Sequence, residues 1–149
     1  MPHLTISRRF EWDAAHRIPG HEGACKAIHG HRYVAEIEVE GPALDALGRI
    51  IDFGVLKSEI GGWIDQNLDH TAIFCRSDPD VVAVAEINAK MGRPVYWMDA
   101  APTAENIAAE LANAAQKVLA NTEIRLVAVK LWETPNCWAL WRAEPPLNL

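Results

Sequence analysis

The sequence predicts an α+β protein whose elements run β-β-α-α-β-β. Three observations predict it. Two stretches near the N-terminus alternate apolar and polar residues, two later stretches repeat apolar residues every three or four positions, and a final pair of β-like runs flanks Pro135-Asn136. Half of the residues are hydrophobic and 23% are charged, a composition able to close one core in 149 residues without disulfides. One domain spanning 1–149 is therefore expected.

The first strand is read over residues 3 to 14, because Leu4, Ile6, Phe10 and Trp12 occupy even positions with Thr5, Ser7, Arg9 and Glu11 between them. A second strand starts at His31. It carries Tyr33, Ala35, Ile37 and Val39 on one face and Arg32, Glu36, Glu38 and Glu40 on the other, and Gly41-Pro42 ends it. The connection between them, of roughly fifteen residues with Pro19, Gly20, Gly23 and Gly30, is long for a hairpin, and such loops are usually functional.

Asp52 stands as an N-cap before Phe53, Leu56, Ile60 and Ile64, which predicts a helix over 53–66 that Gly61-Gly62 weakens. Pro102-Thr103 then supplies a stop and an N-cap. Glu105 suits the first turn, and Ile107, Leu111, Ala115, Val118 and Leu119 form the apolar stripe of a helix over 103–120. Residues 124–134 and 137–143 read as strands with both faces partly apolar, as when a sheet is covered on both sides. Between 75 and 101 the signal is weaker, with a short helix from Pro79 and a β-like Val95-Tyr96-Trp97.

Fourteen Lys and Arg against twenty Asp and Glu leave a net charge of -6, a poor footprint for a protein that grips a nucleic-acid backbone, so no nucleic-acid partner is expected. Cys25, Cys75 and Cys137 are odd in number and widely spaced. That argues against a disulfide framework and for a reducing, cytoplasmic setting. No apolar leader follows Met1, and the run Val81 to Ala85 is too short to cross a bilayer, so neither export nor a membrane is expected.

Residues i and i+2 of a strand point the same way, so His29-Gly30-His31 can aim two imidazoles at one ion, with Gly30 permitting close backbone approach. If the first strand keeps its parity, His16 shares the apolar face of Phe10 and Trp12, and pairing with the second strand brings the three histidines together. Three imidazoles with an open fourth position suit catalytic zinc, Zn2+, better than a structural site. Any one of them alone reads more readily as a hydrogen-bonded core residue than as a ligand, and His3 and His21 read as solvated.

Cys25, four residues before His29 and beside Lys26, reads as a fourth metal ligand, a base or a small hydrophobe. Asp69-His70 reads either as a solvated helix C-terminus or as a carboxylate-assisted proton shuttle. Glu133 shares the parity of Val127, Val129 and Leu131, which places a carboxylate on an apolar face. Its partner there is an internal Arg or Lys, or the guanidine-like edge of a substrate. Glu105 reads as a first-turn acid or a pocket residue.

Taken in order, His16, Cys25-x-x-x-His29-Gly30-His31, Leu68-Asp69-His70, Pro102-Thr103-Ala104-Glu105-Asn106 and Trp132-Glu133-Thr134 make the chain resemble the 6-pyruvoyl-tetrahydropterin synthase / 6-carboxytetrahydropterin synthase family over almost its whole length. The resemblance implies the tunnelling fold, an antiparallel sheet with two main helices on one face. It further implies subunits in barrel-like trimers, two of which stack into a homohexamer with active sites between subunits. It makes His16, His29 and His31 zinc ligands, Cys25 the general base, and Asp69 and His70 the rest of a proton relay. Glu133 becomes the anchor of the pterin amino-pyrimidine edge, with Glu105 and Thr103 at the same pocket. The implied substrate is 7,8-dihydroneopterin triphosphate, with Arg17, Lys26 and Arg32 as candidate cations for its triphosphate.

The spacing from Cys25 to His29 resembles the bacterial carboxy branch, which releases acetaldehyde and leaves 6-carboxy-5,6,7,8-tetrahydropterin on the route to 7-deazaguanine and queuosine. Three alternatives remain: the pyruvoyl branch, a non-catalytic module in which Cys25 completes a four-ligand zinc site, and an aldolase acting on dihydroneopterin. The H-x-H pair counts against the aldolase. The stretch from Cys75 to Ala101 is longer than in the family's shortest forms.

Overall fold

A computed structural model describes residues 3–145. Strands β1 (Thr5–His16) and β2 (His29–Glu40) pair antiparallel without a break, from Thr5 opposite Glu40 to His16 opposite His29. The first strand thus runs two residues past its expected end, and the second starts two residues early. Their shared inner face carries Phe10, Trp12 and Ala14 against Tyr33, Ala35, Ile37 and Val39, all buried. β5 (Arg125–Thr134) pairs antiparallel with the other edge of β2, and β6 (Cys137–Arg142) pairs with β5.

The expected antiparallel sheet is extended by two short parallel strands, β3 (Thr71–Cys75) beside β1 and β4 (Tyr96–Met98) beside β3, giving the order β4-β3-β1-β2-β5-β6. β3 escapes the alternation test because all five of its residues are buried. Ile73 faces the main core, while Ala72 and Phe74 face a second cluster with Val81 and Val95. A strand covered on both sides has no polar face to reveal it. The reverse holds at β6. Trp138 and Leu140 are exposed, so within the chain the outer face of this edge is not covered as its composition suggests.

The inner face is closed by helices. Asp52 Oδ1 accepts from Gly54 N–H at 2.7 Å and opens a continuous helical stretch made of α1 (Phe53–Leu56), a π turn over Lys57–Gly61 and α2 (Gly62–Asn67). Gly61 packs against Phe10 of the sheet. A Cβ there would sit 3.2 Å from Phe10 Cε1, so the residue that weakens the helical pattern is the one that lets the helix dock. After β3, a 3-10 turn over Pro79–Val81 leads into α3 (Val82–Lys90). α4 (Ala104–Leu119) starts where expected, with Thr103 Oγ1 accepting from Asn106 N–H at 3.2 Å, and buries Ile107, Ala108, Leu111, Ala112, Ala115 and Leu119.

The sheet, α1–α2 and α4 therefore share one core, and the described ends of β1 and β2 reach its rim. Ile37, with no exposed surface, lies at the centre of this face. Replacing it with alanine should cost about 2–5 kcal/mol through lost burial and a residual cavity. Urea denaturation measures this, and a loss under about 0.5 kcal/mol would contradict the packing.

Candidate metal centre and the surrounding grooves

His16 is the last residue of β1 and lies directly across from His29, the first of β2, while His31 pairs with Ala14 on the same inner face. Glu133 comes from β5, where the register shifts between Trp132 and Thr134. One ligand atom from each of His16, His29, His31 and Glu133 can be chosen so that all four lie within 4.8 Å of one another. Cys25 is not in this group among the described residues.

The outer nitrogens of two rings are committed. His16 Nδ1 lies 2.8 Å from the Pro102 carbonyl oxygen and His29 Nδ1 2.8 Å from that of Ala27, and only an N–H can satisfy a carbonyl. In the neutral rings this leaves both Nε2 atoms as bare acceptors, yet they face each other at 3.0 Å. His31 Nε2 is buried without a hydrogen bond, 3.0 Å from Glu133 Oε1. Burial lowers the pKa of His16 below its ordinary 6.5, against the opposing pull of the Pro102 carbonyl and Glu133, and burial does the same to His31 against Glu133. Lone pairs turned toward one another in a partly buried site fit a bound cation, and the donor set of three imidazoles with a carboxylate nearby is one that zinc accepts.

The motif Pro102-Thr103-Ala104-Glu105-Asn106 acts at this centre through its backbone. The Pro102 carbonyl orients His16, Thr103 is occupied as the cap of α4, and the Asn106 amide donates to the Ala101 carbonyl at 2.9 Å. Glu105 is exposed. Sequence reasoning missed the Pro102 carbonyl and the proximity of Glu133 to the histidines. The parity of Glu133 was the available signal for the second, and no side-chain pattern could signal the first. It also missed Tyr33, a fully buried neighbour of His16 and His31 whose hydroxyl has no partner among the described residues and is held neutral, its pKa pushed up by burial and by Glu133.

Asp69 and His70 form a pair, His70 Nδ1 lying 2.8 Å from Asp69 Oδ1. Asp13 holds it through both of its backbone polar groups, its N–H donating to Asp69 Oδ1 at 3.1 Å and its carbonyl accepting from His70 N–H at 2.8 Å. His70 takes a left-handed φ of 58° and is 72% exposed. A shallow groove of about 470 Å³ runs from His31 over Gly30 and Ala15 to His70. A Cβ at Gly30 would meet the Ala14 carbonyl oxygen at an ordinary 3.4 Å, so close strand approach does not demand this glycine. A larger groove, about 620 Å³, opens from His31 and Glu133 past Arg32, Val34, Glu36 and Trp132. Of the candidate cations, Arg32 is engaged by Glu11 and Asp13, Arg17 by Asp78, and exposed Lys26 by no acid among the described residues.

A mixed α+β sheet with a three-histidine cluster at the end of its central hairpin defines a protein with the means to hold a metal beside an open groove. The family model described as 6-pyruvoyl tetrahydropterin synthase matches residues 5–144, and the chain belongs to that family. It is 41% identical to the 6-carboxy-5,6,7,8-tetrahydropterin synthase of Rickettsia bellii over 136 residues, 91% of this chain and 97% of that one. It is 29% identical to the enzyme of that name from Haemophilus influenzae, over 89% and 94%. Among solved structures, an uncharacterized protein from Wolinella succinogenes superposes with a TM-score of 0.83 at 20% identity, over 97% of this chain and all of that one. The 6-pyruvoyl tetrahydropterin synthase of Caenorhabditis elegans gives 0.69 at 22%, over 97% and 98%. The fold is the tunnelling fold.

Burial alone would raise the Asp69 pKa, but hydrogen bonds from His70 and the Asp13 amide, with the nearby charges of His70 and Arg93, hold it below 3.8. A carboxyl with a folded pKa below its unfolded value stabilises the fold fully above the unfolded value, and this contribution disappears as pH falls through the folded one. The stability gap between wild type and Asp69→Asn, followed by urea denaturation, should close progressively as the pH falls below about 4. A gap that widens on acidification would contradict this.

Proposed function

We propose that the protein is a zinc-dependent lyase that converts 7,8-dihydroneopterin triphosphate to 6-carboxy-5,6,7,8-tetrahydropterin, with release of acetaldehyde and triphosphate, in the formation of 7-deazaguanines such as queuosine. The observation that carries this reading is the convergence of His16, His29 and His31 in one cluster, beside a groove that His31 and Glu133 line. The relatives named for that product support it over the pyruvoyl branch.

His16, His29 and His31 would hold the metal, the rings of His16 and His29 oriented by carbonyls that place the proton on Nδ1. Bound zinc supplies Lewis acidity toward the oxygen-bearing side chain of the substrate. Cys25 Sγ removes a proton from that side chain, and His70, steadied by Asp69, moves protons onward. Glu133 offers a carboxylate to the two N–H donors of the pterin amino-pyrimidine edge, whereas Thr103 and Glu105 do not line the groove that Glu133 shares with His31. The exposure of His70 suits service to a site shared between subunits, consistent with a homo-oligomer, proposed as a hexamer of two trimers. Cys25 lies outside the histidine cluster, which supports a base over a fourth ligand and so disfavours a closed, non-catalytic zinc module.

Zinc-loaded protein incubated with 7,8-dihydroneopterin triphosphate should yield 6-carboxytetrahydropterin, acetaldehyde and triphosphate by mass spectrometry. A pyruvoyl product without acetaldehyde would assign the other branch, and no turnover by folded, metal-replete protein would sink the proposal. Cys25→Ala should keep its zinc and lose on the order of a hundredfold or more in kcat. Loss of zinc with the thiol would instead make Cys25 a ligand. Glu133→Gln should likewise retain metal by elemental analysis while raising KM by on the order of tenfold or more, the cost of a charge-assisted bidentate contact. Loss of metal in that variant would place Glu133 among the ligands.

A further inference from the structure

The loop from 17 to 28 carries Cys25 and has no regular structure beyond a 3-10 turn at Ala24–Lys26. Three successive carbonyls in it each accept a hydrogen bond from a residue at the base of the loop. Cys25 O takes Ile18 N–H at 2.9 Å, Lys26 O takes Arg17 Nε–H at 2.7 Å, and Ala27 O takes His29 Nδ1–H at 2.8 Å. The middle bond is made by a long side chain, and that side chain is itself anchored. Arg17 Nη1 lies 2.8 Å from both oxygens of Asp78, with the arginine side chain 13% and the aspartate 2% exposed.

Asp78 has little freedom of its own. Its N–H donates to the Cys75 carbonyl at 3.0 Å, and its Oδ1 accepts from Asp80 N–H at 3.1 Å, capping the turn at Pro79–Val81. With Nε on the Lys26 carbonyl and Nη1 on Asp78, only Nη2 of the Arg17 guanidinium has no partner among the described residues, and the Asp78 charge already offsets its own, so it is poorly placed to serve as the triphosphate cation that the sequence suggested. A buried ion pair adds little net stability, but it fixes geometry well, and breaking one partner is costly.

We propose that Arg17 and Asp78 are positioning residues that fix the backbone at Lys26, and through it the Cys25 thiol, relative to the histidine cluster, and that supplying Asp78 is a role of the segment from Cys75 to Ala101. The proposal rests on the reading of Cys25 as the base. Arg17 follows His16 directly, so a single anchor holds both the end of β1 and the loop that returns to His29.

The test uses zinc-loaded protein carrying Cys137→Ser, so that buried Cys75 and Cys25 are the remaining thiols. To this are added Asp78→Asn, Asp78→Glu or the pair Arg17→Met with Asp78→Leu. Asp78→Asn should lower kcat by on the order of ten- to a hundredfold with KM within about twofold, as expected when a reacting group is misplaced. Alkylation of Cys25 by iodoacetamide, read by peptide mapping, should speed up by about tenfold as the loop opens. Bound zinc should be unchanged, and Asp78→Glu should recover part of kcat.

The double substitution removes both charges and should reproduce the loop effects even if Asp78→Asn leaves Arg17 stranded and unfolds. Wild-type kcat and wild-type Cys25 alkylation in a folded variant would overturn the proposal. So would a fall in KM on loss of Asp78, which would make Arg17 a restrained anion ligand. Alkylation needs no substrate, so absent turnover in the unaltered protein, with Cys25 still responding to Asp78, would sink the assigned reaction and leave the clamp standing.

Discussion

One backbone register carries the site. β1 and β2 pair residue for residue from Thr5 opposite Glu40 to His16 opposite His29, and this alone decides which side chains share a face. A slip of one residue would turn His16 and the strand's apolar residues to solvent, exchanging Phe10, Trp12 and Ala14 for Arg9, Glu11 and Asp13. The core that buries Trp12 against Tyr33 is therefore also what holds the imidazoles in place, because the same face that is apolar for most of its length becomes histidine-rich at one end. Packing specifies the register, and the register specifies the histidine cluster that could hold a metal.

Orientation within that centre comes from carbonyls contributed by distant parts of the chain. Pro102, at the threshold of α4, reaches His16, and Ala27 reaches His29. Each commits one ring nitrogen as a donor and, in the neutral ring, leaves the other as an acceptor turned toward the centre. Burial of His16 and His31 reinforces the neutral form. The rings are thus oriented as ligands would be, and a cation would relieve their mutual lone-pair repulsion. Helix α4 both closes the core and supplies the peptide that aims a ligand, so the fold and the site are not separable there.

The long elements are legible in the sequence because each has one wet and one dry face. β1, β2, α4 and the helix opened by Asp52 all show the periodicity their burial demands. β3 is illegible for the opposite reason. Thr71–Cys75 is dry on both faces, and a five-residue apolar run carries no period. The parallel pairing of β3 and β4 is equally hidden, since their register with β1 is set by tertiary contacts. At the site, parity alone places His16, His29, His31 and Glu133 on one face. It cannot say that Glu133 would approach His31, nor that Arg17 would be consumed by Asp78, because both facts depend on bulges and loops that bring distant residues together.

The central claim is a three-histidine metal centre from which the Cys25 thiol is excluded. X-ray absorption at the zinc edge of the loaded protein tests it directly. The predicted first shell contains only nitrogen and oxygen near ~2.0–2.2 Å, with the outer-shell scattering pattern of several imidazoles. A sulfur scatterer at ~2.3 Å would contradict the claim and make the centre a closed structural site.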